Sequence, residues 1–313
     1  MQISVIGAGV SGLTCAVALR RAGFDAQVIA AESPTQTTSM AAAAVWTVPG
    51  SEPNSRAFSW SLRSREVFAH LAADPASGVV GLRQRELEVA EPAPLGWKAD
   101  WIRPLTPDEI PSGYRAGWMI DGYRIDPETY LGWLSKELER LGGNLTLSRL
   151  AQLDEGDGLV VNCTGLGARE LCQDLDLVPI RGQVVLFAKS GIDMGVSDEN
   201  DPGRITYVYP RNSHVVLGGT RQMGDWNLHP DRATTDRILS DCLRLEPRLA
   251  GGEVLGARVG LRPGRHEVRL EQGRLADGRP VIHNYGHGGM GYIFSWGCAE
   301  EVTTLAHSII RQA

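Results

Sequence analysis

The chain has 313 residues, of which 42% are apolar and 22% charged, and a formal net charge of −6. That length buries a large core and carries a prior of two domains. The composition is that of a soluble globular protein, and an acidic balance without a long like-charge run disfavours nucleic acid as a partner. Five scattered cysteines (Cys15, Cys163, Cys172, Cys242, Cys298) contain no C-x-x-C. Neither a disulfide framework nor a metal site is expected. No apolar run reaches membrane-spanning length. The first strand begins at residue 2, leaving no room for a signal peptide. A cytoplasmic enzyme is the expectation.

In chain order, residues 1–32 read as β-α-β: an apolar run from Gln2 to Ile6, a helical pattern to Gly23, and a second strand at Ala26–Ala30. Residues 33–54 are rich in Ala, Thr, Ser and Pro and lack clear periodicity. Phe58, Leu62, Val67, Phe68 and Leu71 space out a helix. Residues 74–124 are punctuated by Pro and Gly and read as short strands and loops. Asp126 is a good N-cap and Pro127 suits a first helical position. Leu131, Leu134, Leu138 and Leu141 form one face of that helix, and Gly142-Gly143 ends it. Leu145 and Leu147 alternate as a short strand, and 158–165 is a buried strand ending in small residues. Residues 181–220 and 254–270 are strand-rich, with a hairpin around Pro210–Ser213 and a helix around Ala233–Leu245 between them. A strand at Arg279–Tyr285 leads into a glycine-rich turn and a long C-terminal helix.

Three glycine-rich junctions narrow the chemistry. Gly7, Gly9 and Gly12 form G-x-G-x-x-G between a strand and a helix. The first glycine allows a tight turn, the second lets backbone approach a pyrophosphate, and the third lets helix pack on strand. The helix N-terminus then offers free N–H groups and partial positive charge to phosphates. Glu32 follows Gly12 by 20 residues, the usual place for a carboxylate that binds a ribose hydroxyl. Asn162-Cys-Thr-Gly165 ends a second strand in small residues. Gly286 to Gly291 places four glycines in six residues, an entropic cost that points to close backbone approach to a ligand. A nicotinamide enzyme rarely needs three such contacts, whereas an extended FAD does.

These segments resemble the D-amino-acid oxidase family, FAD enzymes that include D-aspartate oxidase. The likeness runs from end to end. It lies in Val5-Ile-Gly-Ala-Gly-Val-Ser-Gly12, Thr37-Thr-Ser-Met-Ala-Ala-Ala-Ala-Val-Trp46 and Val161-Asn-Cys-Thr-Gly165. It continues in Gly218-Gly-Thr-Arg-Gln222, Val259-Gly-Leu-Arg-Pro-Gly-Arg265 and His283-Asn-Tyr-Gly-His-Gly-Gly-Met-Gly291. The resemblance implies an α/β fold: a Rossmann-like FAD-binding domain with a discontinuous, strand-rich α+β substrate domain. Residues 1–54, 141–180 and 276–313 are assigned to the first domain, and 55–140 and 181–275 to the second.

It implies non-covalent FAD held by Gly7, Ala8, Gly9, Val10, Ser11, Gly12, Glu32, Thr37, Thr38, Ser39, Ala42, Ala43, Ala44, Val45, Thr164, Gly165, Gly288, Gly289, Met290, Gly291, Tyr292 and Ile293. Arg262 matches the arginine that grips the substrate carboxylate. Tyr207 matches the tyrosine that shares that carboxylate, and Gly289 the carbonyl that accepts from the substrate amine. By residue type alone Arg262 could equally belong to a structural ion pair, and Tyr207 to a strand core. Tyr209 is expected on the opposite face as an ordinary buried residue. The implied reaction passes a hydride from Cα to flavin N5 and needs no side-chain acid or base. Imino-acid hydrolysis then yields a 2-oxo acid and ammonia, and O2 becomes hydrogen peroxide. The partners are thus a D-amino acid and O2, with no nucleic acid and no membrane, in a monomer or homodimer.

Two departures bear on the substrate. The turn Asp201-Pro-Gly-Arg204 is short and lacks a lid tyrosine. Thr47 and Met290 stand where a glutamine and an aromatic residue are common. Met290, Trp46 and Val45 point to an apolar, adaptable pocket, so neutral side chains are expected to be favoured. Arg204 and Arg221 are the candidates for gripping a second carboxylate, as D-aspartate or D-glutamate oxidation requires. A glycine or sarcosine-type amine oxidase is a more distant alternative.

Overall fold

The computed structural model describes residues 2–48, 52–92, 95, 97–188, 191–201 and 203–312. Gln2–Ile6 carries the apolar run, and four of its five residues are buried. It pairs in parallel with Asp25–Ala30 on one side and Leu159–Asn162 on the other. Leu145–Leu147 and Pro280–His287 extend this parallel sheet at its two ends. Parallel strands need both faces covered. One face carries the helices Val10–Arg21, Pro127–Arg140 and Gly291–Gln312, whose buried residues join one core with Ile3, Val5 and Val28. The other is covered by Leu153, Leu150 and Leu171 packed on Ile6, Val160 and Val281. Pro127–Arg140 starts where the sequence places it, with Asp126 Oδ1 accepting from the Thr129 amide at 2.9 Å.

The remaining strands form a mixed, mainly antiparallel sheet. Its order runs Val45–Trp46, Ala116–Ile125, Val79–Glu88, Gly195–Asp201, Arg204–Pro210, Val215–Gly218, Val178–Ala188 and Glu253–Arg274. Only Val79–Glu88 and Gly195–Asp201 pair in parallel within it. The predicted hairpin is present, closed by the Arg211 amide donating to the His214 carbonyl at 2.7 Å. Asp201 and Arg204 pair directly across the short turn; Pro202 lies outside the described residues. Helix Arg232–Leu245 packs Ile238 and Cys242 against Val185, Val208 and Leu217. Each such buried aliphatic side chain contributes about 1.5–3 kcal/mol. Strand side chains alternate between faces, so Val184, Tyr207, Tyr209 and Val216 gather on the face away from that helix.

One strand joins the two sheets. Glu253–Arg274 is 22 residues long. Its first part pairs with Val178–Ala188 and its second with Pro280–His287, and the register shifts between Gly264 and Arg269. Arg262 stands just before that shift.

Candidate active site

A continuous cavity of about 1580 Å³ runs from the G-x-G-x-x-G turn to the antiparallel sheet. At the nucleotide end it is lined by Gly7, Ala8, Gly9, Val10 and Ser11, and by Glu32, Thr37, Thr38 and Ser39. Gly7 has φ +116, a conformation that L side chains rarely adopt. A Cβ on Gly9 would project into the cavity and meet only the hydroxyls of Ser39 at 3.1 Å and Thr37 at 4.0 Å. The space it would fill is a cradle against bare backbone. Helix Val10–Arg21 has no cap from its own N-cap residue and no acidic residue in its first turn; Ser39 Oγ accepts from the Val10 amide at 2.9 Å, and the rest of the positive end is open to an anion. Thr164 and Gly165 border the same space, as do Ala42 to Val45 and Gly288 to Ile293. Ala44 holds φ +46 while its carbonyl accepts from the Ile125 amide at 2.8 Å. The segment is tied to the antiparallel sheet and to the C-terminal helix: Thr38 Oγ1 donates to the Leu261 carbonyl at 3.1 Å, and the Tyr292 hydroxyl to the Ser39 carbonyl at 3.0 Å. These residues fit an extended FAD.

Gly12 differs from the rest of the expected cofactor set. It does not line the cavity. Its Cβ would stand 1.9 Å from the Gly7 carbonyl oxygen, so it acts by letting the helix seat against the turn.

The substrate end is built on one face of the antiparallel sheet. Directly opposed residues on neighbouring strands share a face. Tyr207 lies opposite Gly218, and Gly218 opposite Val184; Gly182, two residues back, is on the same face. The guanidinium of Arg262 lies over Gly182, where a Cβ would come within 2.3 Å of it. Gly218 likewise makes room for the ring of Tyr207, whose Cζ would be 1.9 Å from an added Cβ. Gly289 sits against Arg262, 3.6 Å from its Cδ by the same measure. Arg262, Tyr207 and Gly289 are therefore brought together.

Arg262 Nη1 donates to the Thr220 carbonyl at 2.9 Å, and among the described residues no carboxylate pairs with it. Desolvation pulls its pKa below the ordinary arginine value. Burial pushes Tyr207 up to about 12, against the pull of the Arg262 charge. The Tyr207 hydroxyl has no hydrogen-bond partner among the described residues. An enclosed cation without an anion and a free hydroxyl beside it are the two groups that a carboxylate would satisfy.

Three expectations are corrected. Tyr209 is not on the opposite face: residues two apart in a strand share one. Its ring stacks on Tyr207 at 4.9 Å, and both line the cavity. Trp46 is fully buried with its indole N–H on the Ser61 carbonyl at 3.0 Å, away from the cavity that Val45, Thr47 and Met290 do line. Arg204 points outward and pairs with Asp241, its Nε 2.8 Å from Oδ2. Arg221, by contrast, lines the cavity, where Glu199 stands 3.3 Å from it.

Several cavity residues went unread in the sequence. Gly182 carries no motif, because its meaning depends on what lies on the neighbouring strand. Glu86 lines the cavity and accepts from Thr47 Oγ1. Its carboxyl is pushed up to about 7 by burial, which the Thr47 hydrogen bond opposes. His287 is buried in the cavity wall, its Nε2 3.0 Å from Asn284 Oδ1, and burial lowers its pKa to about 4. It is neutral at ordinary pH.

A glycine turn open to a nucleotide, joined to a sheet face that presents a free guanidinium, defines an FAD-dependent oxidoreductase. The family model described as FAD dependent oxidoreductase matches residues 2–305. The chain is 46% identical to a D-amino-acid oxidase of Rubrobacter xylanophilus, covering 96% of this chain and 94% of that protein. It is 36% identical to the human D-aspartate oxidase, covering 99% and 96%. The chain belongs to the D-amino-acid oxidase family of FAD-dependent oxidoreductases. Among solved structures, a glycine oxidase from Bacillus cereus is similar in fold, with a TM-score of 0.81, 18% identity, and coverage of 98% of this chain and 95% of that one.

Proposed function

We propose that the protein oxidises D-amino acids to 2-oxo acids, releasing ammonia and hydrogen peroxide. The observation that carries this reading is Arg262, an enclosed guanidinium with no carboxylate partner among the described residues, beside the free hydroxyl of Tyr207. A bound α-carboxylate would accept two parallel hydrogen bonds from the guanidinium and a third from Tyr207. The Gly289 carbonyl, next to Arg262, is the acceptor for the substrate amine. Two anchors fix the orientation of the Cα–H bond, which is the protein's main contribution to rate. Held by the cradle between Gly7 and Ser39 and by Gly288 to Ile293, FAD would supply the hydride acceptor and the route by which the electron pair reaches O2. No side-chain base is required when the amine is neutral as the hydride leaves.

We read residues 1–54, 141–180 and 276–313 as the FAD-binding domain and residues 55–140 and 181–275 as the substrate-binding domain. The separation of a parallel from an antiparallel sheet supports this reading, with Glu253–Arg274 crossing between them, while Val45–Trp46 and helix Pro127–Arg140 each pack across the proposed boundary. Neutral side chains are favoured over acidic ones, because Arg204 and Arg221 are already held by Asp241 and Glu199. The compartment is cytoplasmic; five free cysteines, four of them buried, support a reducing environment. Among the described residues no helix is long and apolar enough to cross a membrane. The protein is read as a monomer or homodimer.

The test is a panel of D- and L-amino acids, with glycine and sarcosine, scored by peroxide release and by bleaching of the flavin absorbance. D-alanine and D-methionine should bleach it, and their L-enantiomers should not. A winning D-aspartate would overturn the preference for neutral side chains, and a winning glycine or sarcosine the substrate class.

A further inference from the structure

The cavity carries a carboxylate that this reaction leaves unused. Glu86 lies on Val79–Glu88, in register with Ser197, which in turn lies opposite Tyr207. Opposed residues share a face, and neighbouring strands are about 4.8 Å apart. Glu86 is thus roughly 10 Å from Tyr207, backbone to backbone, on the same surface. The small side chain of Ser197 stands between them with the Tyr209 ring beside it, and all four residues line the cavity. A lysine-length side chain extending past Tyr207 and the Glu86 side chain reaching back together cover that interval. Thr47 Oγ1 donates to Oε1 of Glu86, and Oε2 accepts nothing among the described residues. Thr47 therefore orients the carboxyl and leaves one oxygen for a ligand.

The surrounding charges agree in sign. Glu88 on the same strand and Glu199 on the next both act on Glu86. Arg221 is tied to Glu199, Tyr207 and Tyr209 are held neutral by burial, and Arg262 is committed to the α-carboxylate. Trp118, opposite Glu86 on Ala116–Ile125, brings no charge. The far wall is net negative.

We propose that Glu86, oriented by Thr47, is a specificity residue that accepts a hydrogen bond from a donor or cation at the end of the substrate side chain. It selects basic and other donor-bearing D-amino acids over acidic ones and over apolar ones of equal length. This rests on the D-amino-acid oxidase reading and deepens it. With its pKa raised to about 7, Glu86 becomes an anion as pH rises through neutrality, so the preference for a cation should grow over that interval.

The experiment compares kcat/KM of the holoenzyme for D-lysine, D-norleucine and D-glutamate in the wild type and in Glu86→Gln, at about pH 6 and about pH 8.5. The lysine-to-norleucine ratio cancels titration of the α-amine. It should rise with pH in the wild type and fall by about tenfold in Glu86→Gln at the higher pH, equivalent to roughly 1.4 kcal/mol. D-glutamate should improve in the variant. Thr47→Val, which removes the hydrogen bond holding the carboxylate form, should move the rise to higher pH. A ratio unmoved by Glu86→Gln, with both substrates still bleaching the flavin, overturns this inference and leaves the oxidase reading intact. If Glu86→Gln does not fold, a wild-type ratio that stays flat with pH overturns it instead. Flavin that no D-amino acid reduces overturns both.

Discussion

The two ends of the cavity use glycine differently. At the nucleotide end, glycine brings backbone to backbone: a Cβ on Gly12 would meet the Gly7 carbonyl, and one on Gly7 would stand 2.4 Å from the Cys163 carbonyl oxygen. At the substrate end, glycine lies beneath a functional side chain, Gly182 under Arg262 and Gly218 under Tyr207. In the first case the obstacle to a larger residue is the fold itself. In the second it is the terminus of one side chain, which can move. Substitutions at the two ends should therefore fail in different ways.

The largest effect is expected at the nucleotide end. Gly12→Val puts a branched side chain into a 1.9 Å gap bounded by backbone, which pushes helix Val10–Arg21 off the turn and its free N–H groups away from the phosphates. Expression should yield colourless protein that does not take up added FAD. A folded Gly12→Val protein with full flavin occupancy would show that the close approach is dispensable.

At the substrate end the flavin should stay bound while turnover collapses. Arg262→Ala leaves the α-carboxylate in the cavity without its cation, a loss of about 2–5 kcal/mol for a buried charge pair. That is roughly 30-fold to several thousand-fold in kcat/KM. Arg262→Lys should restore only part, since an ammonium lacks the two-pronged geometry. Near-normal kinetics in the alanine variant would move the carboxylate site elsewhere.

Gly182→Ala sharpens the comparison, because it displaces Arg262 without removing it. The added methyl would sit 2.3–2.4 Å from the guanidinium, and the long side chain yields where backbone could not. The protein should fold, remain yellow, and lose about 10²-fold in kcat/KM, as expected for a displacement near 1 Å. Colourless or unfolded Gly182→Ala protein would erase the distinction between the two ends.

The same contrast governs what the sequence reveals. The nucleotide end is legible because its parts are local: a strand, three glycines at fixed offsets and a helix lie within about twenty residues. Helix Pro127–Arg140 is legible for the same reason, with cap, Pro and leucine stripe all on one segment. The substrate end assembles residues 86, 197, 207, 218 and 262 from five strands, and only pairing register sets them on one surface. Arg262 and Tyr207 were reached through the family resemblance. Glu86 and Gly182 had no such aid. Trp46 and Arg204 were misplaced because hydrophobicity and charge do not state direction. The indole found a buried carbonyl at Ser61, and the guanidinium found Asp241.

Arg204 supplies the smallest expected effect. It follows the short turn at Asp201 and is close in sequence to Tyr207, which makes it a natural candidate for a second substrate carboxylate. Asp241, on helix Arg232–Leu245, draws it to the other side of the sheet. Arg237 at 3.1 Å and Arg244 pair with the same buried carboxylate, so removing Arg204 leaves Asp241 with two cations. The Arg204 side chain is 43% exposed, and partly exposed pairs contribute about 1 kcal/mol or less. Arg204→Ala should lower the melting temperature by a few degrees at most and leave the D-aspartate to D-alanine ratio of kcat/KM within about twofold of wild type, below roughly 0.5 kcal/mol. A larger fall confined to D-aspartate would mean that Arg204 leaves Asp241 and reaches into the cavity when an acidic substrate binds. The preference for neutral side chains would then have to be reargued from a conformation in which that ion pair is open.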